Sequence, residues 1–502
     1  MNEAVEAQRF TLRLVALAAG LTALRLAGAA WLHLTEDEAY YRLWAQHLAF
    51  GYFDHPPMIA WWIRLGTQVC GDTALGVRLL PVLASGLNTW LIGDLARRLG
   101  LGDRAALRGA LWYNATLTVG LGGLLALPDS PASLFWTLTL WCLARAWARE
   151  RIAWWLGAGV AAGLGVLSKY SALFLAPGVL LWLAFAPGGL ARLRRPGPWL
   201  AAVAAAATFA VNVVWNAQNG WLTFSKQFGR IAAEGLTPAH ALEFLATQFG
   251  LLTPLVAVFA GIGVARAWRR RREPGAPQLL LPVATAAPFA LYLLAHSLHD
   301  RVQGHWPAPL FGALAICAAA AAPEGPSAAA RRLRWLTPAL GFAIAAAAVL
   351  IAALPAPTPL GSRDPTLAIR GWPQFAGDVE RLRRQTGAAW VGTESYGVYA
   401  QLAGERAVTT PLLQLIERDR YRGAEDDLVP DFTRTGLVVD IDRRMKGAEL
   451  DRCFRSVVPI AELPRAGGLG HNQRYAAYLV SGPKRDVWTL GCPAEIHPGV
   501  WR

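Results

Sequence analysis

The sequence predicts a polytopic all-α membrane protein that carries a small α/β domain after its last span. Three observations lead there. Apolar residues come in runs of about 20, the length of helix that crosses a hydrocarbon core. Arginines cluster in the short connections between alternate runs. Past residue 355 the hydropathy drops, and short strand-like runs replace the long apolar ones.

The apolar runs define about eleven spans, near 10–32, 75–96, 105–127, 131–149, 152–168, 171–188, 198–215, 241–265, 279–297, 306–322 and 335–354. Only 16% of the 502 residues are charged and 54% are hydrophobic, whereas soluble domains carry about 25% charged residues. Many of the 22 tryptophans sit at run ends, among them Trp31, Trp112, Trp199, Trp268 and Trp335, where an amphipathic ring anchors at the membrane interface.

The net charge of +14 raises the question of nucleic acid, and its distribution answers it. The arginines group as Arg97, Arg98, Arg104 and Arg108; Arg145, Arg149 and Arg151; Arg192, Arg194 and Arg195; Arg266 with the block 269–272; and Arg331, Arg332 and Arg334. Lys/Arg bias in short loops marks the cytoplasmic side. The excess is therefore an orientation signal, no nucleic-acid partner is implied, and the N-terminus reads as cytoplasmic. Glu3 and Glu6 spoil a basic n-region, so the first span reads as an uncleaved anchor. The expected division is 1–355, a transmembrane domain with a long first external loop at 33–74, and 356–502, an extracytoplasmic soluble domain. In the latter, strand-like runs at 388–391, 436–441, 456–460 and 475–480 surround a helical stretch at 375–385.

Smaller features have structural readings. Gly159 and Gly163 form a small-xxx-small face suited to close helix packing. Asn114-Ala-Thr116 matches a glycosylation sequon inside a span and reads as noise. The five cysteines lack metal-type spacing. Cys453 and Cys492 share the external region, where a disulfide and two free thiols are both open readings.

Five segments carry chemistry, and the topology puts all of them at the outer boundary. TEDEAYY at 35–41 contains the adjacent carboxylates Asp37 and Glu38, with Tyr40 beside them; carboxylates near hydrocarbon mark a functional path, or else both cap a helix in water. GYFDHPPM at 51–58 sets Asp54 and His55 before two prolines that stiffen the turn; a rigid acid–imidazole pair there suits a phosphate, a metal or a sugar, and a polar turn before an amphipathic helix at 58–69 is the plain alternative. LPDSP at 127–131 puts Asp129 at the start of the fourth span, where a helix cap is the simpler explanation. SKYSALF at 168–174 holds Lys169 and Tyr170. The chain has four lysines against 44 arginines, and an external cation in a short loop runs against the charge rule. A compact ammonium suits a phosphate oxygen, with snorkelling as the competing account. HDRVQGHWPAP at 299–309 brings His299, Asp300, Arg301 and His305.

On these residues the chain resembles the GT-C glycosyltransferases, and more narrowly the family of bacterial lipid A aminoarabinose and galacturonic acid transferases and protein O-mannosyltransferases. The carrying segments are TEDEAYY, FDHPPM, LPDSP, SKYSALF and HWPAP, over roughly residues 10–320. The resemblance implies a GT-C fold and an inverting transfer from a polyprenyl-phosphate sugar to an acceptor hydroxyl. It implies Asp37 as the residue that orients or deprotonates the acceptor, Glu38 as its support, and Asp129 as an assisting acid. Lys169, Arg301 and His55 are the cations available for the donor phosphate, and Asp54, Tyr40, Tyr170 and His305 are expected to line the substrate cavity. Where aminoarabinose transferases carry Glu–Lys, this chain has Asp54–His55, and a neutral imidazole offers one donor and no charge.

The implied partners are the lipid-linked donor, an envelope lipid, glycan or protein as acceptor, and membrane lipids; the implied place is a bacterial inner membrane. No cofactor is certain from the residues; a divalent metal ion stays an open reading that they do not indicate. The alternative is a transporter or flippase of a lipid-linked sugar, which predicts polar residues running through the spans. Arg13 and Arg25 in the first span and Arg78 in the second are the main ones. A third reading, a structural membrane protein, leaves the acidic loop without a task.

Overall fold

The computed structural model describes residues 2–228, 237–276, 278–353, 365–421, 430–442, 445, 447–466 and 472–492. Its contacts group into two compact units, Met1–Ala30 with His55–Ala347, and Trp31–Asp54 with Ala348–Arg502. The second unit thus draws on the first external loop as well as on the C-terminal region.

The first unit is helical. Among the described residues four helices are long and apolar enough to cross a membrane, Ala4–Trp31, Ala74–Arg98, Pro196–Gln218 and Ala328–Ala353. Shorter apolar helices follow at Ile152–Ser168, Tyr170–Phe185, Leu280–His296 and Ala308–Ala321. Two of the spans read from hydropathy are not single helices. The third, expected at 105–127, ends its helix at Ala115 and turns extended at Thr116. Only one-turn pieces follow, at Leu117–Gly120 and Gly122–Leu124, because the glycine-rich stretch 120–123 is a poor helix former. The eighth, expected at 241–265, is two helices, Pro238–Leu251 and Pro254–Arg269, bent by 104°. Pro254 has no N–H to donate and pushes its predecessor out of the helical region. That predecessor, Thr253, sits at φ +65°, an unusual place for a β-branched residue.

Close packing explains the glycines. A Cβ on Gly159 would lie 2.2 Å from the Ala201 carbonyl, and one on Gly163 would lie 2.7 Å from that of Ala205. The small-xxx-small face therefore lets the helix Ile152–Ser168 touch the backbone of Pro196–Gln218. Gly341 does the same for the two broken spans: its Cβ would stand 1.7 Å from the Ala115 carbonyl and 2.9 Å from Thr253 Cγ2. Asn114, the sequon asparagine, is buried and bonds Thr89 and the Ala110 carbonyl.

In the second unit a five-stranded sheet runs in the order β2-β1-β3-β5-β4, with β1 Trp390–Thr393, β2 Leu412–Gln414, β3 Gly436–Ile441, β4 Phe454–Ala466 and β5 Asn472–Pro483. β1 is parallel to β2 and β3, while β5 is antiparallel to β3 and β4. The helix Tyr396–Glu405 makes the crossover from β1 to β2, as a parallel pair requires. Every residue of β3 is buried, as expected of a strand covered on both faces. Val391, Leu437 and Tyr475 pack under Trp372 and Phe375 on one side, and Trp390, Val438 and Val480 pack with Phe454 on the other. A disulfide joins Cys453 to Cys492; Cys70, Cys142 and Cys317 are free.

Candidate functional site

The polar residues singled out in the sequence fall into two groups, one in each unit. In the helical unit Asp129 opens the helix Asp129–Arg149 directly after Pro128. Lys169 closes the helix Ile152–Ser168, its extended backbone ending the run before a one-turn piece at Tyr170–Phe174. The two helix ends meet, and Lys169 Nζ donates to Asp129 Oδ1 at 2.7 Å with both side chains about nine-tenths buried. His305 Nε2 stands 3.8 Å from the other carboxylate oxygen. Asp129 and His305 line a cavity together with Ser85, Asn88, Tyr113 and Thr118.

Two other expected members of this group are engaged elsewhere. Arg301 is exposed and forks onto Glu243, Nε to Oε2 at 3.0 Å and Nη2 to Oε1 at 2.9 Å. Tyr170 is buried and donates to Asn212 Oδ1 at 2.8 Å, toward the helix Pro196–Gln218. His55 is partly buried.

In the second unit the helix Glu36–Trp44 begins with a capping box: Thr35 Oγ1 accepts from the Glu38 N–H, and Glu38 Oε2 accepts from the Thr35 N–H. Glu38 is fully buried, so the structure gives it a capping task. Asp37, one residue earlier, is only partly buried, and its Oδ1 accepts from the Tyr396 hydroxyl at 2.7 Å. Burial first, and Asp37 second, raise that phenol well above its ordinary value, so the hydroxyl keeps its proton and holds the carboxylate in place.

Asp54 is the hub of a second cluster. Its Oδ2 accepts from the Tyr40 hydroxyl at 2.9 Å and from Arg420 Nη1. Arg420 Nε donates to Glu417, and the guanidinium lies 4.6 Å from the Tyr396 ring centre and 5.1 Å from that of Phe53. Burial works against the Arg420 charge, but Asp54, Tyr40 and Glu417 outweigh it and hold the group above its usual value. Tyr421 donates to the Tyr396 carbonyl at 2.6 Å and packs edge-on against Tyr40.

Arg420, Glu417, Tyr396 and Tyr421 escaped the sequence reading because nothing local marks them. They lie more than 340 residues beyond Asp54, in a region whose short runs announce strands and little else. Among the described residues no group of three or more His, Cys, Asp or Glu side chains is arranged to hold a metal ion.

Comparison with known proteins gives three kinds of likeness. Residues 54–215 match the family described as dolichyl-phosphate-mannose-protein mannosyltransferase. A lipid A galacturonosyltransferase of Rhizobium johnstonii is 28% identical over 274 residues, 54% of this chain and 56% of that one. An undecaprenyl phosphate-α-4-amino-4-deoxy-L-arabinose arabinosyl transferase of Pseudomonas aeruginosa is 35% identical over 142 residues, 27% of this chain and 24% of that one. The matched stretch thus spans about half the length, or less, of these curated relatives. In three dimensions the chain is similar to the crystal structure of ArnT from Cupriavidus metallidurans bound to undecaprenyl phosphate, with a TM-score of 0.63 and 16% identity, covering 94% of this chain and 99% of that one.

Proposed function

We propose, for a chain that belongs to the GT-C glycosyltransferases, that it transfers a sugar from a polyprenyl-phosphate donor to a hydroxyl of an envelope lipid, glycan or protein. The observation that carries this reading is the buried Asp129–Lys169 pair, whose carboxylate stands with His305 at a cavity among apolar helices. Charged side chains among membrane helices are costly and are retained for function.

The reaction is an inverting displacement. The acceptor oxygen bonds to the anomeric carbon as the bond from that carbon to the phosphate oxygen breaks, and polyprenyl phosphate leaves. Asp37 orients the acceptor hydroxyl and takes its proton, and the Tyr396 hydroxyl fixes the carboxylate for that task. The leaving phosphate gains about one negative charge as the bond breaks. A fixed cation therefore stabilises the transition state more than the ground state, and Lys169 is that cation, with His305 adjacent. Asp129 holds the ammonium in position. Asp54 and Arg420 keep Tyr40 and Tyr396 in register. The protein crosses a bacterial inner membrane about eleven times, with its N-terminus cytoplasmic and the second unit's C-terminal region in the periplasm, where the disulfide is stable.

Purified full-length protein given a polyprenyl-phosphate sugar and envelope lipid should release polyprenyl phosphate. Asp37→Asn should slow release by about 100-fold or more while leaving thermal unfolding unchanged. Undiminished turnover in that variant removes Asp37 from the mechanism. Movement of intact donor across vesicles without release replaces the transferase reading with a flippase.

A further inference from the structure

The helix Asp129–Arg149 has 21 residues, a length of about 30 Å, so its far end lies a membrane's thickness from Asp129. A second cavity, of about 200 Å³, opens there. Glu150, Arg192 and Arg195 form its polar wall, and Trp155 with the turn 196–198 forms its apolar one. Gly197 lets the two sides approach, since a Cβ there would stand 2.4 Å from Trp155 Cδ1. The connections that frame the cavity, 149–151 and 192–195, hold five arginines and one glutamate.

Arg192 is held in place by the protein itself. It stacks over the Trp147 ring at 4.0 Å, donates to the Trp147 carbonyl at 3.0 Å and pairs with Glu150 at 3.1 Å. Arg195 meets the same carboxylate through Nη1; both of these side chains are exposed, so that pair is weak and can exchange. The side chains of Arg151 and Arg194 make no hydrogen bond or ion pair among the described residues. Arg151 and Arg195 are also the N-cap residues of the helices Ile152–Ser168 and Pro196–Gln218, and neither caps its helix with a side chain. Local energetics favour Ser, Asp or Asn at that position and disfavour a cation beside the positive end of a helix. Membrane orientation accounts for arginine in these loops but not for a cavity between two helix starts that both carry it. An anion bound there relieves both conflicts.

We propose that this cavity binds the headgroup phosphate of an anionic phospholipid, at the membrane face opposite the Asp129–Lys169 pair. The helix that starts at the cavity, Pro196–Gln218, is among those long and apolar enough to cross a membrane. Its Trp199, Val203 and Val214 share one face at helical spacing and are exposed. The Trp199 ring is fixed at the head of that face by its Nε1, which donates to the Leu193 carbonyl at 2.8 Å. A soluble anion uses the arginines and leaves the apolar face bare. A phospholipid uses both, with phosphate oxygens on the Arg195 and Arg151 guanidinium groups and an acyl chain along the helix. The site takes no part in sugar transfer and does not rest on the transferase reading.

The test uses the full-length protein, purified in detergent and stripped of co-purified lipid, in native mass spectrometry with dioleoyl phosphatidylglycerol or dioleoyl phosphatidylcholine added. One phosphatidylglycerol per chain should be retained, at least about 10-fold more tightly than phosphatidylcholine, because the net charge of the headgroup decides binding at a basic pocket. Arg151→Gln and Arg195→Gln should each weaken retention about 5-fold, the contribution of one basic residue at an anionic surface. Thermal unfolding of both variants without lipid should be unchanged, since both side chains are exposed. Arg269→Gln/Arg272→Gln removes two exposed arginines from another connection and should retain the lipid as the parent does. Inorganic phosphate in large excess should not displace it. The comparison of the two lipids on the unaltered protein stands whether or not the variants fold. Equal retention of the two lipids, equal loss in the control and site variants, or displacement by phosphate each overturns the inference.

Discussion

Lys169 and Asp129 are each readable in the sequence as an oddity, but their meeting is not. The lysine stands out because, read as external, a cation in a short loop breaks the charge rule; the aspartate looks like an ordinary helix start. Pairing at 2.7 Å with little exposure makes them interdependent. Lys169→Met should leave a buried carboxylate unpaired and cost about 3–5 kcal/mol of stability, measured by unfolding in detergent. The double variant Asp129→Asn/Lys169→Met should recover most of that stability and none of the activity, which separates the structural from the catalytic part. Glu394 makes a different prediction. It follows β1 and is 7% exposed, its Oε1 has no partner among the described residues, and its neighbour Asp440 already accepts from the Glu394 and Ser395 N–H groups. Burial first, then Asp440 and Glu449, push its carboxyl up to about 8. The folded form therefore holds a proton that the unfolded chain releases near the ordinary carboxylate value. Stability should fall as pH rises from about 4.5 to about 8 and level off above that. A melting-temperature profile should show this slope, and Glu394→Gln should flatten it.

Helix breaks follow the same logic one level up. Pro254 is a visible breaker, and glycines at 120, 122 and 123 weaken the third span in plain sight, yet hydropathy averages over both and returns two straight segments. The breaks persist because something packs on them, and that something is Gly341. Its helix, Ala328–Ala353, can approach the Ala115 carbonyl and Thr253 only where no Cβ intervenes. Gly341→Ala should therefore destabilise by about 1–3 kcal/mol, the range for overpacking, because the obstacle is backbone and cannot rotate away. Gly250→Ala, where a Cβ meets nothing within 4 Å, is the matched control and should leave the melting temperature unchanged or raise it slightly, since alanine is the better helix former.

For the molecule as a whole, orientation is the property on which the proposed chemistry turns. Reporter fusions placed after residues 98, 149, 195 and 272 should report the cytoplasm, and fusions near 50 and 484 the periplasm. A cytoplasmic signal at residue 50 would deprive the acidic loop of access to the outer leaflet. The disulfide offers an independent check of the same point, since it closes a loop of 39 residues and belongs to oxidising compartments. Cys453→Ala should lower the stability of the second unit by about 2–4 kcal/mol and abolish the mobility difference between reduced and non-reduced protein.

Length and spacing of apolar runs, the sidedness of arginine, and the capping and turn residues are local quantities, each complete within a window of about 20 residues. They were enough for a helical membrane protein with a C-terminal α/β region, and they singled out the segments around Asp37, Asp54, Asp129, Lys169 and His305 as candidates. The partners of those residues are set by energies that depend on distance in space. Tyr396 beside Asp37, Arg420 on Asp54 and the Cys453–Cys492 bond join positions separated by 359, 366 and 39 residues. No local propensity encodes such pairings. A buried charge finds its partner only when packing has removed the water that would otherwise satisfy it.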